Sequence, residues 1–111
     1  MACVTITLAL LSHAEEPITA LSGSIFDEKG GPIIAAKLTL RGGNSQLYLT
    51  KSSERGTFRF ARMGAGSYTL SIDQAGFCPL QIRDIAVSAG AENTLPRIVL
   101  PVAPEGQNCP Q

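Results

Sequence analysis

The side chains best suited to catalysis or metal binding are few and scattered along the chain. The single histidine is His13, and the three cysteines are Cys3, Cys78 and Cys109. A catalytic nucleophile needs a positioned base, most often histidine, and a zinc site needs at least about three nitrogen, sulfur or carboxylate ligands. From residue 15 onward the chain has no histidine and only two cysteines. The sequence therefore predicts no catalytic residue, no metal ligand and no cofactor.

Carboxylate pairs are the remaining candidates for chemistry. Asp27 and Glu28 are adjacent in a turn, where side-chain oxygens ordinarily cap backbone N–H groups. The same pair offers oxygen ligands to calcium, although the run lacks the alternating oxygens of a dedicated calcium loop. Asp73 and Asp84 could approach each other across neighbouring strands, but nothing around them indicates the environment of a catalytic acid. The sequence favours structural roles for these acids.

The amino-terminal segment has the composition of a secretory signal. An apolar run from Ala2 to Leu11 precedes Ser12-His13-Ala14, with small residues at its two ends, and then the acidic break Glu15-Glu16-Pro17. An apolar run with a small-x-small site is typical of a signal peptide, and this one is shorter than the about 20 residues that span a bilayer. Because no Lys or Arg precedes the run, a buried segment of a cytosolic protein stays open as the alternative. We predict a signal peptide over 1–14, a secreted or periplasmic (extracytoplasmic) location, and no membrane span in the mature form.

The two downstream cysteines are predicted to pair. Removal of the leader would remove Cys3 and leave Cys78 and Cys109, an even number suited to an oxidising compartment. A bridge would close a loop of about 30 residues and contribute about 3–4 kcal/mol through the entropy of the unfolded chain. Such a contribution matters in a domain of under about a hundred residues. The alternative is two unrelated thiols, one of them in the tail.

The charge distribution argues against nucleic-acid binding. Nine basic and nine acidic residues balance each other, and no basic stripe is present. The densest basic stretch, from Lys51 to Arg62, is interrupted by Glu54. Within it Arg59 alternates with apolar neighbours, as an outward strand position should, and this pattern predicts a solvated face.

Beyond the leader, short alternating segments bounded by Gly, Pro, Asn and Asp recur about every ten residues, and none shows a helical period. Pro79 lacks a ladder donor and so predicts an edge strand or a bulge. We predict an all-β fold, a seven-stranded antiparallel Greek-key β-sandwich over 15–100, followed by a carboxy-terminal tail over 101–111. The predicted strands are 21–26, 36–41, 46–52, 56–60, 68–72 and 77–85, with 85–87 and 94–100 completing the set.

The order of these motifs resembles the carboxypeptidase regulatory-like domain family, over residues 18–100. The similar segments include Gly23-Ser24-Ile25-Phe26-Asp27, Gly56-Thr57-Phe58-Arg59-Phe60, Gly66-Ser67-Tyr68-Thr69-Leu70, Ala75-Gly76-Phe77 and Ile98-Val99-Leu100. A run over 63–66 replaces the family's usual Leu-x-Pro-Gly. The resemblance implies a transthyretin-like (prealbumin-like) sandwich related to the starch-binding-like fold. It also implies an accessory module without peptidase activity.

Two functions follow as hypotheses. The first is a secreted non-catalytic module for protein interaction or structural support, which offers a sheet face or an edge strand to an unknown protein partner or cell-surface component. The region of Pro79 is a candidate protected edge. The second is a carbohydrate-binding module, since exposed aromatic rings stack on sugars.

The aromatic residues limit the carbohydrate hypothesis. The chain has no Trp. Phe58, Phe60 and Tyr68 lie in the inward phase of their strands, and Tyr68 is expected to hydrogen-bond the backbone like a corner tyrosine. Tyr48 is the one candidate ligand platform, but its phase is ambiguous because a leucine stands on each side of it.

Overall fold

Alternating apolar and polar residues build eight β-strands and, among the described residues, no helix. The computed structural model describes residues 18–104 and Cys109. The strands are β1 (Ala20–Phe26), β2 (Lys37–Gly42), β3 (Leu47–Lys51), β4 (Thr57–Ala61), β5 (Gly66–Asp73), β6 (Leu80–Val87), β7 (Glu92–Thr94) and β8 (Ile98–Val99). No helix able to cross a membrane occurs in this part of the chain.

The strands form two sheets that pack face to face. One sheet has the order β4–β1–β7, with β8 also paired to β1, and the other has the order β3–β2–β5–β6. The chain crosses from one sheet to the other after β1, β3, β4 and β6. The pairings are antiparallel except that β7 and β8 run parallel to β1. The predicted all-β sandwich is confirmed.

The strand count is eight rather than the predicted seven. The predicted segments 77–85 and 85–87 form the single strand β6, and the last predicted segment, 94–100, is divided. β7 ends at Thr94 and β8 begins at Ile98. Pro96 lies between them, and proline has no N–H to donate to a ladder. Both pieces still pair with β1, so the division leaves the sheet order intact.

The inner faces of the two sheets form one apolar core. Phe58 and Phe60 are buried as predicted, and their rings meet edge to face with centroids 6.0 Å apart. The hydroxyl of Tyr68 donates to the carbonyl oxygen of Gly64 at 2.7 Å, which confirms the expected corner-type bond. The largest fully buried side chains are Leu21, Ile25, Leu38, Leu40, Leu70, Ile72 and Leu100.

The edge position predicted from Pro79 is confirmed, whereas the bulge of this strand lies farther along it. β6 begins at the residue after Pro79 and is an edge strand. Its pairing with β5 shifts register between Tyr68 and Leu70, where Asp84 of β6 has a φ of 58°. A register shift at a residue with positive φ indicates a β-bulge. A bulge twists an edge strand so that it pairs less readily with another strand.

The predicted disulfide is present and holds the end of the chain. Cys78 and Cys109 are bonded, with their Cα atoms 5.5 Å apart. The start of the predicted tail is also paired with the body, since the N–H of Cys78 donates to Pro101 and that of Ala103 donates to Gly76. The predicted signal peptide over 1–14 lies outside the described residues.

Candidate functional site

Strand β3 forms an open edge of its sheet and carries exposed leucines. β3 is the last strand of the β3–β2–β5–β6 sheet. Leu47 and Leu49 point to the outer face of that sheet and are 51% and 67% exposed. Tyr48 and Thr50 are half-buried, because successive side chains of a strand alternate between its two faces. Exposed leucines two residues apart therefore form an apolar strip along an edge strand.

The backbone of this strip faces away from the sheet. The N–H of Gly42 donates to Gln46 and that of Ser52 donates to Ala36, one at each end of the β2–β3 ladder. In an antiparallel ladder the residues that exchange hydrogen bonds alternate with residues that do not. Gln46 and Ser52 are such hydrogen-bonded positions, so the positions at two-residue intervals between them, Tyr48 and Thr50, also bond to β2.

The alternate residues Leu47, Leu49 and Lys51 accordingly direct their N–H and C=O groups to the free edge. Among the described residues, no strand pairs with that edge. The side chains of the same three residues lie on the outer face of the sheet, and all three are exposed. Backbone donors, backbone acceptors and apolar side chains are thus available along one short segment.

Positive side chains surround the leucines. On the outer face Lys51 lies opposite Lys37, Leu49 opposite Thr39, and Leu47 opposite Arg41. Asp73 of β5 lies opposite Lys37 on its other side. Within 18–104, the one ion pair lies elsewhere, so none of these three cations is within 4.0 Å of a carboxylate. The strip is apolar at its centre and basic around its rim.

Two clefts border this edge. One, of about 340 Å³, separates β3 from β4 and is lined by residues 47–50 and 59–61. The other, of about 310 Å³, lies on the outer face against Lys37, Leu49, Thr50 and Lys51. An extended segment beside β3 would find space for side chains on both of its faces.

The term β3 edge surface is used below for the exposed residues Leu47, Leu49 and Lys51 of β3, together with Lys37 and Arg41 beside them on β2.

A second, polar surface covers the outer face of the other sheet. Arg59 of β4 and Glu92 of β7 meet across β1, with Nη2 and Oε1 2.9 Å apart and Nε within 3.2 Å of both carboxylate oxygens. The hydrogen bond from Arg59 holds the pKa of Glu92 below its ordinary value, and the same bond raises the pKa of Arg59. The outward position predicted for Arg59 is confirmed.

An open cleft of about 700 Å³ lies on this polar surface. Its lining includes the Arg59–Glu92 pair and the hydroxyl-bearing residues Ser22, Ser24, Thr57 and Thr94. Hydroxyls beside a guanidinium and a carboxylate can donate and accept hydrogen bonds. The Phe58 side chain is buried below, so no exposed ring accompanies these groups.

Tyr48, the predicted ligand platform, lies between the core and solvent. Its ring packs against Tyr68 with centroids 6.1 Å apart, and its hydroxyl donates to Oε1 of Gln46 at 3.3 Å. Part of the ring is therefore covered by the protein itself. Its role as a sugar platform stays a prediction.

The acidic residues are used structurally or lie apart. Oδ1 of Asp27 accepts hydrogen bonds from the N–H groups of Lys29 and Gly31, which is the turn-capping role predicted for it. Asp73 and Asp84 are not cross-strand neighbours, because Asp73 follows the Ile72–Leu80 pair at one end of the β5–β6 ladder, whereas Asp84 lies in the bulge between the Tyr68–Ile85 and Leu70–Ile82 pairs. In the described part of the chain, no three His, Cys, Asp or Glu side chains are grouped closely enough to hold a metal ion.

The sequence left the β3 edge surface unidentified for a physical reason. The run Leu47-Tyr48-Leu49 is apolar throughout, so alternation alone does not tell which side chains face the core. The hairpin settles it, because the bond from Gly42 to Gln46 sets the register and thereby the phase of β3. The partner of Arg59 is also a tertiary property, since Glu92 is 33 residues away.

The fold defines a class of protein, a two-sheet β-sandwich module built from mainly antiparallel strands. The comparison with protein families gives a more specific identity. The chain belongs to the carboxypeptidase regulatory-like domain family, whose sequence model matches residues 20–101. A comparison with curated protein sequences found no significant match.

Solved structures share the fold at low sequence identity. One is a Bacteroides uniformis protein assigned to carbohydrate binding, with 20% identity, a TM-score of 0.59, and 76% of this chain and 41% of that chain covered. Another is a chain of a type II cohesin–X–dockerin complex from Acetivibrio cellulolyticus, with 23% identity, a TM-score of 0.57 and coverages of 82% and 64%. Catechol 1,2-dioxygenase from an Acinetobacter species has 13% identity, a TM-score of 0.61 and coverages of 90% and 58%. The chain thus spans less than two thirds of the length of each.

Proposed function

We propose that this domain is a non-catalytic interaction module that binds a protein partner through the β3 edge surface. The observation that carries the proposal is the exposure of Leu47 and Leu49 on a strand whose outer edge is unpaired in the described chain. Single exposed leucines are common on protein surfaces, but an apolar edge strand is ordinarily protected against pairing. The opposite edge, β6, carries such protection in its bulge and in Arg83 and Asp84, whereas β3 is regular over its whole length.

The comparisons support a non-catalytic role in a general way. The matching family is that of a regulatory-like domain, and one structural neighbour comes from a protein–protein assembly, the cohesin–X–dockerin complex. The dioxygenase neighbour shares the sandwich at an identity that carries the fold alone. We infer that the domain serves as an accessory part that places a partner.

An extracytoplasmic location accompanies this proposal. The Cys78–Cys109 disulfide supports it, because disulfides persist in oxidising compartments and are rare in the cytosol. Amino-terminal sequencing of the protein recovered outside the cytoplasm tests it directly. A chain that begins at Glu15 is the expected result, and a chain recovered only from the cytosol with Met1 in place contradicts the prediction.

Site-specific photocrosslinking tests the proposed interaction. A photoreactive residue at position 49 should form a discrete adduct with one protein in producing cells, whereas the same residue at exposed Ala86 of β6 should not. The identified protein is then purified and its affinity measured against wild type and a Leu47→Ser/Leu49→Ser variant. We expect a loss of at least about tenfold, since apolar anchors dominate binding energy. Equal adducts from both positions, or unchanged affinity of the double variant, overturn the proposal.

Carbohydrate binding is the second candidate, and the polar cleft beside Arg59 and Glu92 favours it. The cleft offers hydroxyl, guanidinium and carboxylate groups on one open surface, and one structural neighbour is assigned to carbohydrate binding. Affinity electrophoresis in gels that contain polysaccharides tests it. Retardation that Arg59→Ala removes places the sugar at this cleft, whereas retardation that Tyr48→Ala removes places it at Tyr48. Unretarded migration in every gel counts against carbohydrate binding.

A further inference from the structure

We infer that the β3 edge surface takes an extended acidic peptide, which adds to the sheet as a strand antiparallel to β3. The inference rests on the proposed function and specifies the chemistry of the partner. It assigns apolar side chains to the peptide positions opposite Leu47 and Leu49 and a carboxylate to the position opposite Lys51.

The backbone dictates an extended ligand. The N–H and C=O groups of Leu47, Leu49 and Lys51 point to the free edge at two-residue intervals, which is the spacing at which a neighbouring strand exchanges hydrogen bonds. A helix or a turn presents its own backbone groups inward and cannot satisfy a row of this kind. Antiparallel addition is favoured because antiparallel pairs are slightly more stable per residue than parallel ones.

The side chains dictate the sequence pattern. An added strand places alternate residues on the outer face, directly opposite Leu47, Leu49 and Lys51. The two leucines are exposed and would be covered by apolar partners. The complementary peptide therefore has apolar residues opposite Leu47 and Leu49 and an acidic residue opposite Lys51. The residues opposite positions 48 and 50 can be of any type. The intervening residues would face the cleft of about 340 Å³ between β3 and β4.

Charge selects an acidic partner. Lys51 and Lys37 lie directly opposite each other, and like charges in that arrangement are unfavourable. Asp73 faces Lys37 from β5 but lies two strands away from Lys51. A carboxylate opposite Lys51 would place an acid on the far side of each lysine, since Asp73 already lies opposite Lys37. Cross-strand pairs of opposite charge stabilise a sheet, whereas like charges directly opposite each other destabilise it.

The same charges disfavour a second copy of this chain as the occupant. Antiparallel pairing of two β3 strands about Leu49 would place Lys51 of each copy opposite Leu47 of the other. Arg41 lies on the other side of Leu47 in the same row, so Lys51 of one copy would lie two strands away from Arg41 of the other, with a single leucine between them. Six cations on one continuous face would repel, and an acidic strand avoids this arrangement.

Short labelled peptides test the inference by fluorescence anisotropy. The test peptide carries Asp, then Val at the second and fourth positions after it, with uncharged polar residues between and around them. The first control has the same composition with the valines moved by one position, so that they fall on the other face. The second control replaces Asp with Lys. We expect binding of the test peptide alone, and a loss of at least about tenfold with Lys51→Glu protein, for which the Lys peptide should regain affinity. Arg83→Glu, at the opposite edge of the same sheet, is the matched control and should bind like wild type.

Amide exchange supplies the second readout. Strand addition should protect the amides of Leu47, Leu49 and Lys51, whereas Tyr48 and Thr50 already donate to β2 and should change little. The inference is overturned if the peptide with shifted valines binds as tightly as the test peptide, or if the Lys peptide gains no affinity for the Lys51→Glu protein. It is also overturned if amide protection does not alternate along β3. Sedimentation that shows a dimer broken by Leu49→Ser overturns it as well. If all peptides fail while the photocrosslinked protein partner binds and depends on Leu47 and Leu49, the inference is wrong and the proposed function stands.

Discussion

Lys37 and Lys51 lie directly opposite each other on the outer face of the β2–β3 pair, and both side chains are exposed. Like charges at opposed positions of a sheet destabilise the pair, so Lys51→Glu should raise the free energy of unfolding by about 0.2–1 kcal/mol. Urea titration followed by circular dichroism measures the change. The same substitution should weaken partner binding, which would separate the role of Lys51 in binding from any role in stability.

A neutral variant controls for the lost lysine stem. Lys51→Gln removes the repulsion without adding an attraction, so its stability should fall between those of wild type and Lys51→Glu. High salt should reduce the differences, because exposed charges are screened. A Lys51→Glu protein that is less stable than wild type at low salt would contradict the argument.

Ser52 is the one buried polar side chain among the described residues, and it joins two segments of backbone. Its Oγ donates to the carbonyl of Ile33 at 2.6 Å and accepts from the N–H of Ala36 at 2.8 Å. Ser52→Ala should leave both backbone groups buried without partners and cost about 1–3 kcal/mol. Chemical denaturation measures the loss, with Ser67→Ala, at an exposed position of β5, as the control expected to change little. Equal stabilities of the two variants would contradict this account.

The Cys78–Cys109 bond closes a separation of 31 residues. Loop-closure entropy in the unfolded chain predicts that Cys109→Ser lowers the free energy of unfolding by about 3–4 kcal/mol. Dithiothreitol should shift the unfolding midpoint of wild type toward that of the variant and leave the variant itself unchanged. If reductant shifts both proteins equally, the bond is not the cause.

The strand pattern was predictable because it depends on short-range alternation. Phe58 and Phe60 alternate with polar residues, and burial of both followed from that period alone. Asp27 and Tyr68 make the local hydrogen bonds that their positions near turns indicated. In each of these cases the partner lies within a few residues in sequence.

The candidate surfaces were not predictable in the same way because they depend on pairing at long range. The β3 edge surface exists because β3 is the edge strand of its sheet. The position of a strand in a sheet depends on the order of all its strands and cannot be predicted from one segment of sequence. The exposure of Leu49 follows from the register of β2 with β3, and the pairing of Arg59 with Glu92 follows from the position of β1 between β4 and β7. The division of the last strand was legible in principle, since Pro96 cannot donate to a ladder.

The ion pair of Arg59 with Glu92 predicts a pH dependence of stability. The hydrogen bond from Arg59 lowers the pKa of Glu92 from its ordinary 4.5, so the folded state favours the ionised carboxylate. A carboxyl whose pKa is depressed on folding stabilises the protein fully above its ordinary pKa and loses that contribution as the pH falls through the folded value. Wild type should therefore exceed Glu92→Gln in stability at neutral pH, and the difference should shrink as the pH drops below about 4.5.

Urea titrations across this pH range measure the effect, and Arg59→Gln should show the same profile because either substitution removes the pair. The gap at neutral pH should be small and should narrow further in high salt, since both side chains are exposed. A difference between wild type and Glu92→Gln that stays constant from neutral to acidic pH would exclude the carboxylate as its source. If Glu92→Gln and Arg59→Gln show the same dependence of stability on pH, the effect comes from the Arg59–Glu92 ion pair, which joins β4 to β7 across β1.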